Sequence, residues 1–235
     1  MKFDQIPPPL PTLAQYRRLR RIGTKRTVLR QMEYDLIPRL QCRGKVLDFG
    51  GGQKAEYLPL LPSGLAITSV NIDDEFAPTD IVLPGDPLPF PDNHFDTVIT
   101  FNTLEHVYDD IGAINELWRV MKPGAIMHII VPYMYPVHGH PYDYNRHTPG
   151  WWADTLERIG FAEATLTPVV FGRTTSARLI GGRGPTQLRP VTDFVAAMRD
   201  IVVARLRFIG KTVYDGRRGE SVWAAAPAWY LRVLK

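Results

Sequence analysis

The chain has 235 residues, 45% of them hydrophobic, and a formal charge of +4 from 28 basic and 24 acidic side chains. That size and apolar content suffice for one α/β domain with a full core. A single cysteine, Cys42, excludes an internal disulfide framework and an all-cysteine metal cluster, and favours a reducing, cytoplasmic setting.

The first residues, Met1 to Leu13, are proline-rich and include Asp4, unlike the basic-then-apolar layout of a signal peptide. Residues 1–40 read as an N-terminal helical segment packed on the core, with helical periodicity from Thr12 to Leu40 interrupted at Gly23. The basic cluster there, Arg17 to Arg30, reads as a solvated face opposite Leu19, Ile22 and Leu29; attraction to an anionic surface is the less favoured reading. Residues 41–235 then read as the main domain. Buried or half-buried strands are expected at Lys45–Phe49, Ala66–Ile72, Asp80–Leu83, Asp96–Phe101, Ala125–Val131, Ala164–Val170 and Ala228–Leu234. Asp110–Lys122 is an amphipathic helix, with Ile114, Leu117, Trp118 and Met121 on one stripe. A Gly/Arg-rich loop from Gly172 to Arg189 opens an insertion over 172–222, a lid or an oligomer face, in which Val195, Met198, Val202, Leu206, Ile209 and Val213 keep helical spacing. The best late apolar run, Ile201 to Ile209, is broken by Arg205 and Arg207, so no transmembrane span is expected.

Strands alternating with helices imply an α/β fold: a doubly wound, mostly parallel, seven-stranded Rossmann-like sheet with an N-terminal helix and a helical insertion before the last strand. Ligands in such sheets lie at the carboxyl ends of the strands, which here carry Asp48–Gly52, Asn71–Asp74, Phe101–His106 and Pro132 onward. Gly50-Gly51-Gly52 follows the first of these strands, and a glycine-rich strand-to-helix turn lets backbone approach a ligand closely. With Ala55 it even satisfies a dinucleotide fingerprint. Asp48 argues against that ligand: a carboxylate there would repel a pyrophosphate, whereas it can receive the cationic end of a bound amino acid.

Four blocks, Val46-Leu47-Asp48-Phe49-Gly50-Gly51-Gly52, Leu88 to Asp96, Leu104-Glu105-His106-Val107 and Arg119 to Gly124, together resemble the small-molecule class I S-adenosylmethionine-dependent methyltransferases over residues 40 to 165. The resemblance implies S-adenosylmethionine as cofactor, with Asp48, Gly50 and Gly52 at its methionine end. It further implies a ribose contact from Asn71 or Asp73, with Asp73 two residues on along the same strand face, and an adenine contact from Asp86, which is equally readable as a turn residue in Pro84-Gly85-Asp86-Pro87. Asn102 and Glu105 complete the cofactor-side set. Lys54 departs from the family's third glycine.

The segment Val131 to Thr148 is the most unusual in the chain, with four tyrosines and three histidines after the fifth strand. Its pattern resembles methyltransferases of bacterial glycan and secondary-metabolite pathways. An alcohol acceptor needs a base, and imidazole suits that task. His138 is the expected base, with Asp143 orienting it or binding a sugar hydroxyl, Arg146 pairing Asp143, and His140 the neighbouring candidate. Glu105 and His106 resemble part of a metal site, but the third position is Asn102, so no metal is expected. The leading function is O-methylation of a sugar, glycan or related small molecule. The alternatives are N- or C-methylation of a natural product, and a noncatalytic cofactor-binding or nucleic-acid-binding protein. The last is disfavoured, since the basic helix lacks interleaved aromatics.

Overall fold

The computed structural model describes residues 1–23, 26–139, 141–182 and 188–235, so the expectation for His140 lies outside the described residues. Its strands are β1 (Lys2–Gln5), β2 (Lys45–Phe49), β3 (Ala66–Asn71), β4 (Asp80–Ile81), β5 (Phe95–Phe101), β6 (Met121–Pro132), β7 (Glu163–Val169) and β8 (Ala228–Leu234). They form one sheet in the order β1-β7-β8-β6-β5-β2-β3-β4. All neighbours are parallel except those of β8, which runs antiparallel to both β6 and β7. The helices are α1 (Leu13–Ile22), α2 (Val28–Leu36), α3 (Asp110–Val120), α4 (Pro149–Ile159), α5 (Arg173–Ile180), α6 (Arg189–Arg207) and α7 (Gly216–Trp223).

Local chemistry starts several of these helices. Thr12, Thr27, Asp109 and Thr148 each accept a hydrogen bond from the backbone amide three residues on, which satisfies one of the orphan donors of a first turn. Gly160 in the left-handed region ends α4. The sheet is buried on both faces, and the strand period of two sorts the side chains. Leu47, Val98, Ile129 and Val131 enter a core with Ile114 and Leu117 of α3 and Trp152 and Leu156 of α4. Val46, Ile99, Phe101 and Ile130 face the other way, toward Tyr34, Ile37 and Leu61.

Three expectations are corrected. The sheet has eight strands, not seven. Lys2–Gln5 adds itself in parallel to β7 by backbone pairing, with Phe3 as its one large apolar side chain, too short a pattern to register in the sequence. No α-helix follows the glycine turn: Pro59 and Pro62 forbid continuous helical hydrogen bonding, and only a single 3-10 turn, Leu58–Leu60, forms before β3. The stretch expected as a loop from Gly172 contains α5, whose first amides, from Thr174 and Thr175, are each 2.8 Å from the Asp200 carboxylate on α6. That cap comes from a residue distant in sequence.

Leu117 is fully buried between α3 and the sheet. Leu117→Ala is expected to destabilise the protein by about 2–5 kcal/mol through lost burial and a residual cavity, read as the loss in unfolding free energy in urea melts.

Candidate active site

The carboxyl ends of β2, β3, β5 and β6 gather the residues singled out in the sequence. Asp48 is wholly buried, and its Oδ1 accepts a 2.7 Å hydrogen bond from the Tyr57 hydroxyl. Its Oδ2 is buried with no hydrogen-bond partner among the described residues. Burial pushes the Asp48 carboxyl up to about 7, against the opposing pull of the Tyr57 hydroxyl and the Gly52 amide. The turn beside it has no spare volume. Gly50 sits at φ +86°, where a Cβ would fall 2.1 Å from the Thr103 methyl, and a Cβ on Gly52 would fall 2.2 Å from the Phe76 carbonyl oxygen. An orphaned buried carboxylate oxygen beside a backbone cradle fits a ligand that brings a cationic donor, as the amino-acid end of S-adenosylmethionine does.

The neighbouring loops brace this turn. Asn71 Nδ2 donates to the carbonyls of Gly50 and Gly51, both at 3.1 Å, and its Oδ1 accepts from the Ile72 amide, so its amide ties the turn to the end of β3. Asp73 Oδ1 accepts from the Glu75 amide at 2.9 Å in an exposed turn. Asp86 is exposed in a turn closed by its own amide on the Leu83 carbonyl; nothing joins it to the glycine turn. Asn102, at φ +53°, is held from α2: it donates to Glu33 Oε1 at 3.3 Å and accepts from Arg30 Nη1 at 3.0 Å. Burial raises the Glu33 carboxyl above its ordinary range, while the Arg30 guanidinium opposes that shift.

The segment after β6 is stitched to the loop after β5. The Tyr144 amide donates to the Glu105 carbonyl at 2.7 Å, Asn145 Nδ2 to the Val107 carbonyl at 2.9 Å, and His106 Nδ1 lies 2.5 Å from the Tyr142 carbonyl. From the other side, Trp229 Nε1 on β8 donates to the His147 carbonyl at 3.0 Å. These contacts place His138 edge-to-face against His106, ring centroids 5.1 Å apart. His138 Nδ1 faces Asp143 Oδ2 at 3.3 Å and the Pro136 carbonyl at 3.2 Å. Arg146 grips both oxygens of Asp143, and that fork, with the His138 amide, holds the Asp143 carboxyl below its usual range despite burial. Glu105, wholly buried with neither carboxylate oxygen hydrogen-bonded among the described residues and its Oε1 3.6 Å from His106 Nε2, completes the cluster; burial pushes its carboxyl up to about 8. One donor atom each from Glu105, His106 and His138 lies within 4.8 Å of the others, a set that could hold a divalent ion. The third member is therefore His138 and not Asn102, which α2 has taken. Two acceptors around Nδ1 leave Nε2 as the basic nitrogen of His138.

Sequence reasoning missed Tyr57, Thr103, Glu33 and the partnership of His106 with His138. Of these only Glu33 left a trace, as an acid on the apolar face shared by Leu29 and Ile37. Tyr57 and Thr103 become visible only once the strands are side by side.

A methyltransferase domain family model matches residues 47–129, from β2 into β6. An S-adenosylmethionine-dependent methyltransferase from Archaeoglobus fulgidus superposes over 95% of this chain and 100% of its own, with 16% identity and a TM-score of 0.54. A methyltransferase from Thermotoga maritima, described as a possible histamine N-methyltransferase, covers 95% of this chain and 96% of its own, with 14% identity and a TM-score of 0.53. The ubiquinone/menaquinone biosynthesis C-methyltransferase UbiE of Shewanella sediminis is 30% identical over 112 residues, spanning 40% of this chain and 44% of the relative. An uncharacterised methyltransferase of Schizosaccharomyces pombe is 57% identical over 38 residues, 16% of this chain and 14% of the relative. The chain thus spans less than half the length of these curated relatives. The sheet thus has the fold of S-adenosylmethionine-dependent methyltransferases, and residues 47–129, which include the glycine cradle, match the methyltransferase domain model.

The raised Asp48 carboxyl makes a prediction for the protein without cofactor. Between about pH 4 and 7 the folded state holds a proton that the unfolded state has released, so wild-type stability falls as pH rises through that window. Asp48→Asn keeps an acceptor for Tyr57 and removes the titration. Its melting temperature relative to wild type should rise from pH 5 to pH 8, measured by calorimetric scans without cofactor; a constant difference would return Asp48 to an ordinary carboxyl.

Proposed function

We propose that this protein transfers the methyl group of S-adenosylmethionine to a hydroxyl on a sugar, glycan or related small molecule, with His138 as the base. The observation that carries this reading is the orientation of the His138 ring: Asp143 and the Pro136 carbonyl face Nδ1, and Nε2 keeps its lone pair. S-adenosylmethionine, when bound, supplies an electrophilic methyl group. Asp48, Gly50 and Gly52 would hold its methionine end, and Asn71 would keep their turn in shape. Asp73, Asp86 and Asn102 stay assigned to the cofactor side. Nε2 of His138 receives the acceptor's hydroxyl proton, and the imidazolium formed is stabilised by Asp143, itself fixed by Arg146. Glu105, protonated near neutrality because it is buried, places no anion beside that imidazole.

A sugar acceptor is supported by the aromatic surface at the mouth of the cluster. Tyr108, Tyr142 and Tyr144 are exposed and clustered, with Tyr108 edge-on and Tyr142 tilted to Tyr144 at 5.5 and 6.0 Å between centroids, and any one of these ring faces could pack on the apolar face of a pyranose. The local similarity to UbiE favours a second reading, methylation at carbon, in which the same base would remove a carbon-bound proton.

Calorimetric titration should show S-adenosylmethionine and S-adenosylhomocysteine binding, weakened by about 1.5–3 kcal/mol in Asp48→Ala if the carboxylate makes a charged hydrogen bond. Folded protein that binds neither compound would refute the central reading. His138→Ala should lower turnover about 10²- to 10⁴-fold with cofactor affinity unchanged. Dialysis against a chelator should leave the wild-type rate intact, because His138 acts here as a base and not as a ligand. The masses and positions of methylated products separate oxygen from carbon acceptors.

A further inference from the structure

In the basic N-terminal segment Arg18 pairs with Asp35, Arg26 with Glu56 and Arg30 with Glu33. Another basic surface lies among the last three helices. A cavity of about 620 Å³ opens between α5, α6 and α7, lined by Arg173, Arg199, Arg207 and Arg218 over a floor that includes the buried rings of Phe208 and Tyr214. Arg199 and Arg207 stand two turns apart on α6 with Val203 between them on one ridge, while Arg173 opens α5 and Arg218 lies in the first turn of α7. None of the four guanidinium groups forms an ion pair among the described residues. The carboxylates nearby are committed: Asp200 to the Thr174 and Thr175 amides, Asp193 to Arg178 and Asp215 to Lys211; Glu220 is exposed on α7 but does not line the cavity.

Beside this cavity α6 turns an aliphatic stripe to solvent. Val191, Val195, Val202 and Leu206 share one face, and Ile209 extends it just past the helix end, with Leu206 70% and Ile209 80% exposed. Arg199 and Arg205 flank the stripe, and no acidic side chain of α6 is exposed. Four unpaired cations converging on a recess, next to uncovered aliphatic side chains, match the chemistry of a bilayer boundary, where phosphate and hydrocarbon lie a few ångströms apart.

We propose that the α6–α7 face docks on an anionic phospholipid surface, with a headgroup phosphate among the four arginines and Val202, Leu206 and Ile209 entering the acyl boundary. The site is separate from the cofactor turn, and the inference does not rest on the reading of the acceptor. No helix among the described residues is long and apolar enough to cross a membrane, so this contact is peripheral.

The test is sedimentation of the full chain with vesicles of phosphatidylglycerol mixed into phosphatidylcholine, and with phosphatidylcholine alone. Binding is expected only to the anionic vesicles and should weaken as salt rises from 0.05 to about 0.5 M. Arg199→Gln/Arg207→Gln and Leu206→Ser/Ile209→Ser should each lower the partition coefficient by on the order of tenfold. All four side chains are exposed, so both variants should melt like wild type. A wild type that ignores anionic vesicles overturns the proposal. So does a serine variant that binds them as well as wild type while inorganic pyrophosphate saturates the arginine cavity, which would mark a site for soluble phosphates. A wild-type dimer in sedimentation equilibrium that the serine variant converts to monomer would make the stripe a subunit interface and likewise end it.

Discussion

A carboxyl group with no exposed surface, near the end of the interior strand β2, is the constraint around which the ligand end of the sheet is arranged. Burying Asp48 is unfavourable in proportion to the solvation it loses, and the Tyr57 hydroxyl offsets only one of its two oxygens. The protein tolerates the other because the rest of the fold is over-determined there. β2 is paired on both sides, by β3 and β5, and the turn that follows is pinned by Asn71, Thr103 and the Phe76 carbonyl. Loosening any of these would let water reach Oδ2 and relieve the carboxylate without a ligand. The tight turn therefore keeps Oδ2 dry, so that without a ligand the carboxyl holds its proton up to about pH 7, and a cationic donor would favour the ionised form.

The missing helix after that turn sharpens the same point. Where a glycine turn opens an α-helix, aligned peptide dipoles and free amides favour an anion. Here Pro59 and Pro62 limit the chain to one 3-10 turn, and the nearest charge is a carboxylate. Both features turn the site away from a pyrophosphate and toward a ligand with a cationic end, although the glycine spacing alone satisfies the dinucleotide pattern.

How much of this was legible follows from where each determinant lies. Strand β6 and helix α3 announce themselves because their burial pattern is written in consecutive residues, and Asp48 could be singled out because its partners in the motif are within four positions. The short strand β1 was not legible, since four residues with one half-buried phenylalanine have no period to detect. Nor was α5, whose start is capped by Asp200 from another helix. At the site, His138 and Asp143 were legible as a pair five residues apart. The engagement of His106 with His138 was not, because it depends on the Tyr142 carbonyl and the Glu105 carbonyl zipping two loops together across the ends of β5 and β6.

That zipper gives the two halves of the site a common frame. Thr103 touches the glycine turn, Asn102 is fixed by Glu33 and Arg30 of α2, and within five residues of Asn102 the carbonyls of Glu105 and Val107 anchor the segment after β6. The loop after β5 thus contacts the glycine turn at one end and, at the other, carries His106 against His138 of the segment after β6. Its strained residue, Asn102 at φ +53°, reverses the chain between the two. Strain of that kind persists only where surrounding contacts over-determine it, and here they come from α2, outside the sheet. Helix α2 accordingly does more than cover the core: through Arg30 and Glu33 it fixes Asn102, and with it the course of the loop that runs from the glycine turn to the histidine cluster.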